Sequence, residues 1–325
     1  METAKYAAPG QEFLKELARQ CACLLINEED IDFPLEPEIV QGGYASVHKN
    51  CTVDRSDLVV VKSFLQHDSA ISSTAPEKKR SKRKQYQNCA KEMVMTRLAS
   101  EASPKFVVPC LRYGVYKIAD VPFLVMPQRG CTLWKYLQEP PVGLLTPAIR
   151  LELAQSLLLA VVQLHASKIA HGDLKGNNVL VEIQQFPKSG SVNNVRIVDF
   201  GIANILQTPC QNATMAWTSA KGHYSPEWVH GEPTREADVW AICGLLYYIL
   251  TCNSAGGKPP SWTAMRTCSL EKVSNCYCSS VILRLVLEGF AAAPKDRPTA
   301  EYLYRRFQTA EVARERIVWA LKRGP

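Results

Sequence analysis

The stretch from His171 to Gly201 constrains this chain more than any other. It reads His171-Gly172-Asp173-Leu174-Lys175-Gly176-Asn177-Asn178-Val179-Leu180-Val181 and, after a polar loop, Val198-Asp199-Phe200-Gly201. Three carboxylate or amide side chains, Asp173, Asn178 and Asp199, lie close in sequence and flank apolar runs that read as strands. The chain around them has 325 residues, 46% hydrophobic and 21% charged. That is ample for a large core and argues against wholesale disorder.

Phosphoryl transfer from a nucleotide needs one carboxylate to orient a hydroxyl and accept its proton, and an oxygen pair to hold magnesium on the phosphates. The two motifs resemble the catalytic loop (H-R-D-L-x-x-x-N) and magnesium loop (D-F-G) of eukaryotic-type serine/threonine protein kinases. The resemblance implies an α+β, two-lobed fold with a small β-rich N-lobe and a mostly helical C-lobe. It implies ATP and Mg2+ as cofactors and a protein substrate with Ser or Thr. Asp173 is then the catalytic base, Lys175 neutralises charge on the moving phosphoryl group, and Asn178 and Asp199 hold the metal. Lysine at position 175 resembles the serine/threonine members rather than the tyrosine kinases.

Upstream, Glu38 to Lys49 reads as strand, tight loop and strand, and resembles the glycine-rich loop. Gly42 matches the middle glycine and is followed by Gly43, whereas Val40 and Ala45 stand where the other two glycines belong. Leu58 to Phe64 is a β-type run resembling V-A-I-K, with Lys62 as the phosphate-binding lysine. Val60 replaces the small alanine under the adenine, and Val47 and Leu180 are expected to sandwich the base. Glu92, on a helix expected over Cys89–Leu98, is the expected partner of Lys62, with Glu101 as its substitute. Pro127 to Gly130 resembles the hinge, with Met126 as gatekeeper and the adenine bonded along Met126–Gln128.

Downstream, Thr146 and Pro147 are the N-cap and first residue of a helix that is apolar nearly all round from Ile149 to Leu164, hence buried. Ala237 to Leu250 is a second buried helix, and Arg297-Pro298-Thr299 opens a late one. Ser225-Pro226-Glu227, Asp238 and Arg297 resemble the A-P-E motif, the helix aspartate that anchors the catalytic loop, and the arginine that pairs with the A-P-E glutamate. Two departures stand out. Gly172 replaces the arginine that reads a phosphorylated activation segment, which implies activity without such gating. Ala220 falls where a threonine usually bonds the catalytic aspartate and lysine.

The domain reading is a helical extension over 1–35 and a kinase domain over 36–325. The domain comprises an N-lobe over 36–126 with a solvated basic insertion over about 66–87, a C-lobe over 130–310 and a terminal helix over 311–325. The amphipathic stretch Gln11–Ile26 is expected to pack on the domain or to bind a partner. Net charge is +7, but six of the seven residues from Lys78 to Lys84 are basic, so the rest is near neutral. A nucleic-acid surface is therefore not expected, and the run reads as an exposed loop, a docking surface or a nuclear import signal. No basic segment followed by an apolar core opens the chain, and the longest apolar run, Ile242–Leu250, is too short to span a bilayer. Twelve cysteines then read as reduced thiols of a cytoplasmic or nuclear protein. Cys268, Cys276 and Cys278 lack the paired spacing of a zinc site. Divergence and compactness also fit a kinase of a large DNA virus acting in its host cell. The alternatives are a pseudokinase scaffold, favoured by the degraded glycine loop, and a small-molecule kinase of the aminoglycoside/choline type, favoured by His-Gly-Asp.

Overall fold

The computed structural model describes residues 14–17, 19, 23–34, 39–41, 45–53, 57–64, 75–140, 145–184, 191–206, 224–227, 233–251 and 280–309. Two compact units divide the chain: Met1–Pro104 with Val108–Gln128, and Lys105–Val107 with Arg129–Pro325. Gly42, Gly43, Ala220, the three cysteines of 268–278 and the expected terminal helix over 311–325 lie outside the described residues.

The first unit is built on a seven-stranded sheet. Its strands are β1 (Leu24–Leu25), β2 (Ile31–Asp32), β3 (Ile39–Gln41), β4 (Ser46–Val53), β5 (Leu58–Ser63), β6 (Arg112–Tyr116) and β7 (Val121–Pro127). They run in the order β1-β6-β7-β5-β4-β2, with β3 also on β4. β7, Val-Pro-Phe-Leu-Val-Met-Pro, is buried along nearly its whole length, as a central strand covered on both faces must be. On one face Val59, Val61, Phe123 and Val125 pack with Ile26, Ile31, Cys51 and Val53. On the other, Phe64 and Leu124 pack with Tyr86, Cys89, Ala90 and Met93 of helix α1 (Ala75–Ala102).

Helix α1 corrects the expected insertion. The solvated loop was expected to run to about residue 87, but the helix begins at Ala75 and continues unbroken for 28 residues, about 42 Å. The basic run therefore lies on a helix. Of the run's described side chains, Arg83 and Lys84 are exposed, and Lys82 pairs at 3.1 Å with Asp120, which also accepts the Tyr86 hydroxyl at 2.6 Å.

The N-terminal stretch is only partly as expected. Residues 14–17 and 19 are helical, and Leu14 is fully buried among the α1 side chains. Leu24 and Leu25, expected to continue that helix, instead form β1, parallel to β6 and exposed at the sheet edge. The adjacent Cys23 faces Cys110, sulfur to sulfur 3.6 Å.

The second unit is mainly helical. It contains β8 (Cys131–Thr132), α2 (Leu133–Gln138), α3 (Pro147–Ala166), β9 (Ile169–Ala170), β10 (Val179–Gln184), β11 (Ser191–Ile197), β12 (Asn204–Ile205), α4 (Arg235–Thr251), α5 (Ser280–Glu288) and α6 (Ala300–Phe307). The Thr146 hydroxyl caps α3 by accepting from the Ile149 N–H at 3.3 Å, and Thr299 caps α6 in the same way through Tyr302 at 3.1 Å. Helix α3 packs against α4, α6 and β11. By length and apolar composition it would also cross a membrane, but Leu153, Ala154, Leu157, Leu158 and Val161 are wholly buried inside this unit. β10 pairs with β11 and with β8, and β9 pairs with β12. These short ladders bracket the loop 171–178 and the turn 198–203.

Candidate active site

The first unit assembles the expected nucleotide-side residues on one face of its sheet. Directly opposed residues of an antiparallel ladder share a face. Val47 lies opposite Lys62, Lys62 opposite Leu124, and Val60 opposite Met126. With the period of two along β5, Val47, Val60, Lys62 and Met126 form one patch. Helix α1 lies over the Phe64 end of this face and aims Glu92 inward. The Lys62 ammonium donates to both carboxylate oxygens of Glu92, at 2.7 and 2.8 Å, with Lys62 8% and Glu92 2% exposed. Glu101, the substitute, instead pairs with Arg97 on the helix surface.

Gln128 is bonded within the sheet. Its backbone N–H donates to the Leu58 carbonyl at 2.9 Å. Its side chain accepts from the Asn50 N–H at 2.7 Å and donates to the Asn50 amide oxygen at 2.8 Å. Asn50 has φ +59 at the irregular point of β4, so Gln128 braces a left-handed turn of the sheet, and its N–H is already engaged there. Gly130 follows with φ +33, and a Cβ there would lie 2.0 Å from the Val181 carbonyl oxygen. Only glycine lets the backbone pass so close.

In the second unit, the loop 171–178 gathers around the Asp173 carboxylate. Oδ2 accepts from the Lys175 ammonium at 2.6 Å and from the Asn178 amide at 3.0 Å. The same amide donates to the Asp173 carbonyl at 2.9 Å. These two bonds commit the Asn178 amide nitrogen to Asp173. Leu180, half-buried on β10, lies opposite Thr132.

The loop backbone is held from below. Asp238, 1% exposed in the first turn of α4, accepts from the N–H groups of His171 and Gly172, both at 2.8 Å, and meets His165 Nε2 at 3.0 Å. His171 Nδ1 accepts from the Asp173 N–H at 3.2 Å and Nε2 donates to the Val198 carbonyl at 3.1 Å, which fixes its tautomer. Val198 in turn donates its N–H to the Asn178 carbonyl, so the two motifs are laced together through backbone and imidazole. Asp199 sits in the left-handed region at φ +70, and Phe200 beside it is fully buried against the His171 ring. A non-glycine residue held there marks a constrained position of the kind that clusters at functional sites.

Among the described residues no group of three or more His, Cys, Asp or Glu forms a metal cage. Magnesium does not require one. It is commonly held by one or two hard oxygen ligands, with phosphates and water completing the octahedron. Asn178 and Asp199 fit that pattern.

Arg297 ties down the segment that contains Ser225-Pro226-Glu227. Its guanidinium donates to both Glu227 oxygens, at 2.5 and 2.8 Å, and to the carbonyls of Glu236 and Ala291, both at 2.9 Å, while lying over the Trp240 ring. Burial pushes the Glu227 carboxyl up, but hydrogen bonds from Arg297, a backbone N–H and Ser225, with the Arg297 charge, together outweigh it and hold the group below its ordinary range. In the sequence, Tyr224 closes the segment 219–224 that resembles the family's Gly-Thr-x-x-Tyr, with no contact expected of it. Its hydroxyl donates to Asp173 Oδ1 at 2.9 Å. The available signal was that resemblance, which does not say which carboxylate the hydroxyl meets.

The first unit thus holds a lysine bound by a helix glutamate, and the second holds a carboxylate bonded to a lysine and an asparagine. The protein kinase domain family matches residues 33–306, and the chain belongs to the protein kinase family. It is 29% identical over 183 residues to the serine/threonine-protein kinase PkaA of Streptomyces coelicolor, covering 54% of this chain and 32% of that protein. It is 28% identical over 141 residues to the serine/threonine-protein kinase PrkC of Bacillus subtilis, covering 43% and 20%. It is 32% identical over 154 residues to mitogen-activated protein kinase kinase kinase 3 of Mus musculus, covering 46% and 22%. The matched stretch thus spans a third or less of each of these relatives.

Proposed function

We propose that this kinase transfers the γ-phosphoryl group of ATP, with Mg2+, to serine or threonine hydroxyls of protein substrates. The observation that carries the reading is the Asp173 carboxylate bonded to Lys175 and Asn178 within one loop. Asp173 accepts the proton of the acceptor hydroxyl, and Lys175, on the same carboxylate, is placed to neutralise charge on the transferring group. Lys62, fixed by Glu92, offers a cation to the nucleotide phosphates. Asn178 and Asp199 would hold the magnesium, which when bound would neutralise phosphate charge. Serine/threonine selectivity is supported by Lys175 and by the names of the bacterial relatives. The anchored Ser225-Pro226-Glu227 segment supports a protein acceptor over a small molecule, and the formed Lys62–Glu92 pair supports transfer over a scaffold role.

The test is incubation with labelled ATP and Mg2+ on a peptide array together with a panel of small hydroxyl acceptors. Label on Ser and Thr peptides is expected. Asp173→Ala is expected to abolish transfer and retain nucleotide binding, because the base acts in the transition state. Wild-type turnover in that variant, or label confined to small acceptors, refutes the reading.

A further inference from the structure

We infer that Tyr224 is a positioning residue for Asp173, a link that ties the base to the Glu227–Arg297 anchor. The inference rests on the reading of Asp173 as base. The Asp173 carboxylate is gripped at both oxygens. Oδ2 takes Lys175 and Asn178, which lie two and five residues on in the same loop and move with it. Oδ1 takes the Tyr224 hydroxyl, from a residue 51 positions away. This bond holds the carboxylate against something outside its own loop.

That outside support is rigid. Tyr224 precedes by three residues Glu227, whose carboxylate is bound at both oxygens by an Arg297 side chain that is itself 0% exposed. The same guanidinium is spent on backbone carbonyls at Glu236 and Ala291 and stacks over Trp240 at 4.9 Å. Asp173, 9% exposed, is held from the other side through the loop backbone by Asp238. The carboxylate thus has two independent supports, one through its own backbone and one through Tyr224. A base must be held within a fraction of an ångström of its productive geometry, and support from outside the loop achieves that. A phenol suits the task because a stiff ring with few rotatable bonds places its O–H at little entropic cost.

The competing reading is a plug, in which the tyrosine hydroxyl occupies the place of the acceptor hydroxyl and must be displaced by substrate. The two readings predict opposite signs. Tyr224→Phe removes the hydroxyl and keeps the ring. If Tyr224 positions the base, kcat falls about 10- to 100-fold while KM for ATP and for the acceptor peptide stays within about twofold. An unchanged kcat, or a raised kcat/KM for peptide, overturns the inference. A loss of folded enzyme would also lower the apparent kcat without moving KM, so kcat is expressed per nucleotide-binding site, counted by titration, and the fall is expected to persist.

Asp173→Asn, run in parallel, separates this inference from the reading beneath it. If Asp173→Asn turns over like wild type, the base assignment itself fails. If Asp173→Asn is dead while Tyr224→Phe is unimpaired, only the role of Tyr224 fails. A thermal-shift cycle covers a preparation without measurable turnover. Tyr224→Phe is expected to lower the unfolding midpoint of the wild type and to leave that of Asp173→Ala unchanged. Equal shifts in both backgrounds overturn the contact.

Discussion

Gly172→Ala is expected to destabilise the second unit by about 3 kcal/mol and to misplace the catalytic loop. Gly172 has φ +79, and a Cβ built there lies 2.7 Å from both Cβ and Cγ of Pro233. The left-handed conformation costs a residue with a Cβ about 1–2 kcal/mol. Forcing a methyl against a proline ring adds about 1–3 kcal/mol of overpacking. Reduced freedom of the unfolded chain returns about 0.4–1 kcal/mol. The net of about 3 kcal/mol corresponds, in a domain of roughly 200 residues, to a midpoint lower by about 6–12 °C. Because the Gly172 and His171 N–H groups hold Asp238, relief of the clash displaces Asp173, the next residue, and a shift near 1 Å costs on the order of a hundredfold in rate. Gly172→Arg, which restores the residue usual in the family, begins with the same Cβ and is expected to be no better tolerated.

The assay is thermal unfolding of Gly172→Ala, Pro233→Gly and the double variant, with peptide phosphorylation measured on each. In the Pro233→Gly background the cost of Gly172→Ala is expected to fall to the dihedral part less the unfolded-chain return, about 1 kcal/mol. A midpoint within about 2 °C of wild type for Gly172→Ala, or the same cost in both backgrounds, refutes the argument. The glycine would then be explained by the lost arginine alone and not by the backbone.

Three further outcomes follow from the geometry. Glu92→Ala leaves the Lys62 ammonium buried without its carboxylate. It is expected to cost about 3–5 kcal/mol in denaturant unfolding and to weaken nucleotide binding in a titration, and a neutral result in both would remove Glu92 from the site. Glu227 has its folded-state carboxyl held below its ordinary value of 4.5, so the stability it contributes is full above pH 4.5 and is lost as pH falls through the lowered value; Glu227→Gln should flatten that acid limb of a midpoint-against-pH curve, and an unaltered limb would refute the assignment. We propose that the basic run directs nuclear import: replacing Lys78, Lys79, Arg80, Lys82, Arg83 and Lys84 by alanine keeps a good helix former at each position, so phosphorylation should persist while a fluorescent fusion leaves the nucleus, and unchanged localisation rules the signal out.

What the sequence determined by itself was whatever depends on local chemistry. The order of Lys62, Asp173, Asn178 and Asp199, the threonine caps of α3 and α6, the buried α3 and α4, and the β4–β5 ladder follow from periodicity, capping and motif spacing. The tertiary structure decided what depends on residues far apart in the chain. It made β1 from two leucines that continue a helical stripe and engaged the Gln128 N–H within the sheet. It also gave Gly172 a backbone reason in Pro233 and brought Tyr224 onto Asp173. The physical reason is common to these cases. A helix stripe or a cap is written in neighbouring residues, whereas which donor meets which carboxylate is fixed only once the packed sheet and helices have set the backbone positions from which those side chains reach.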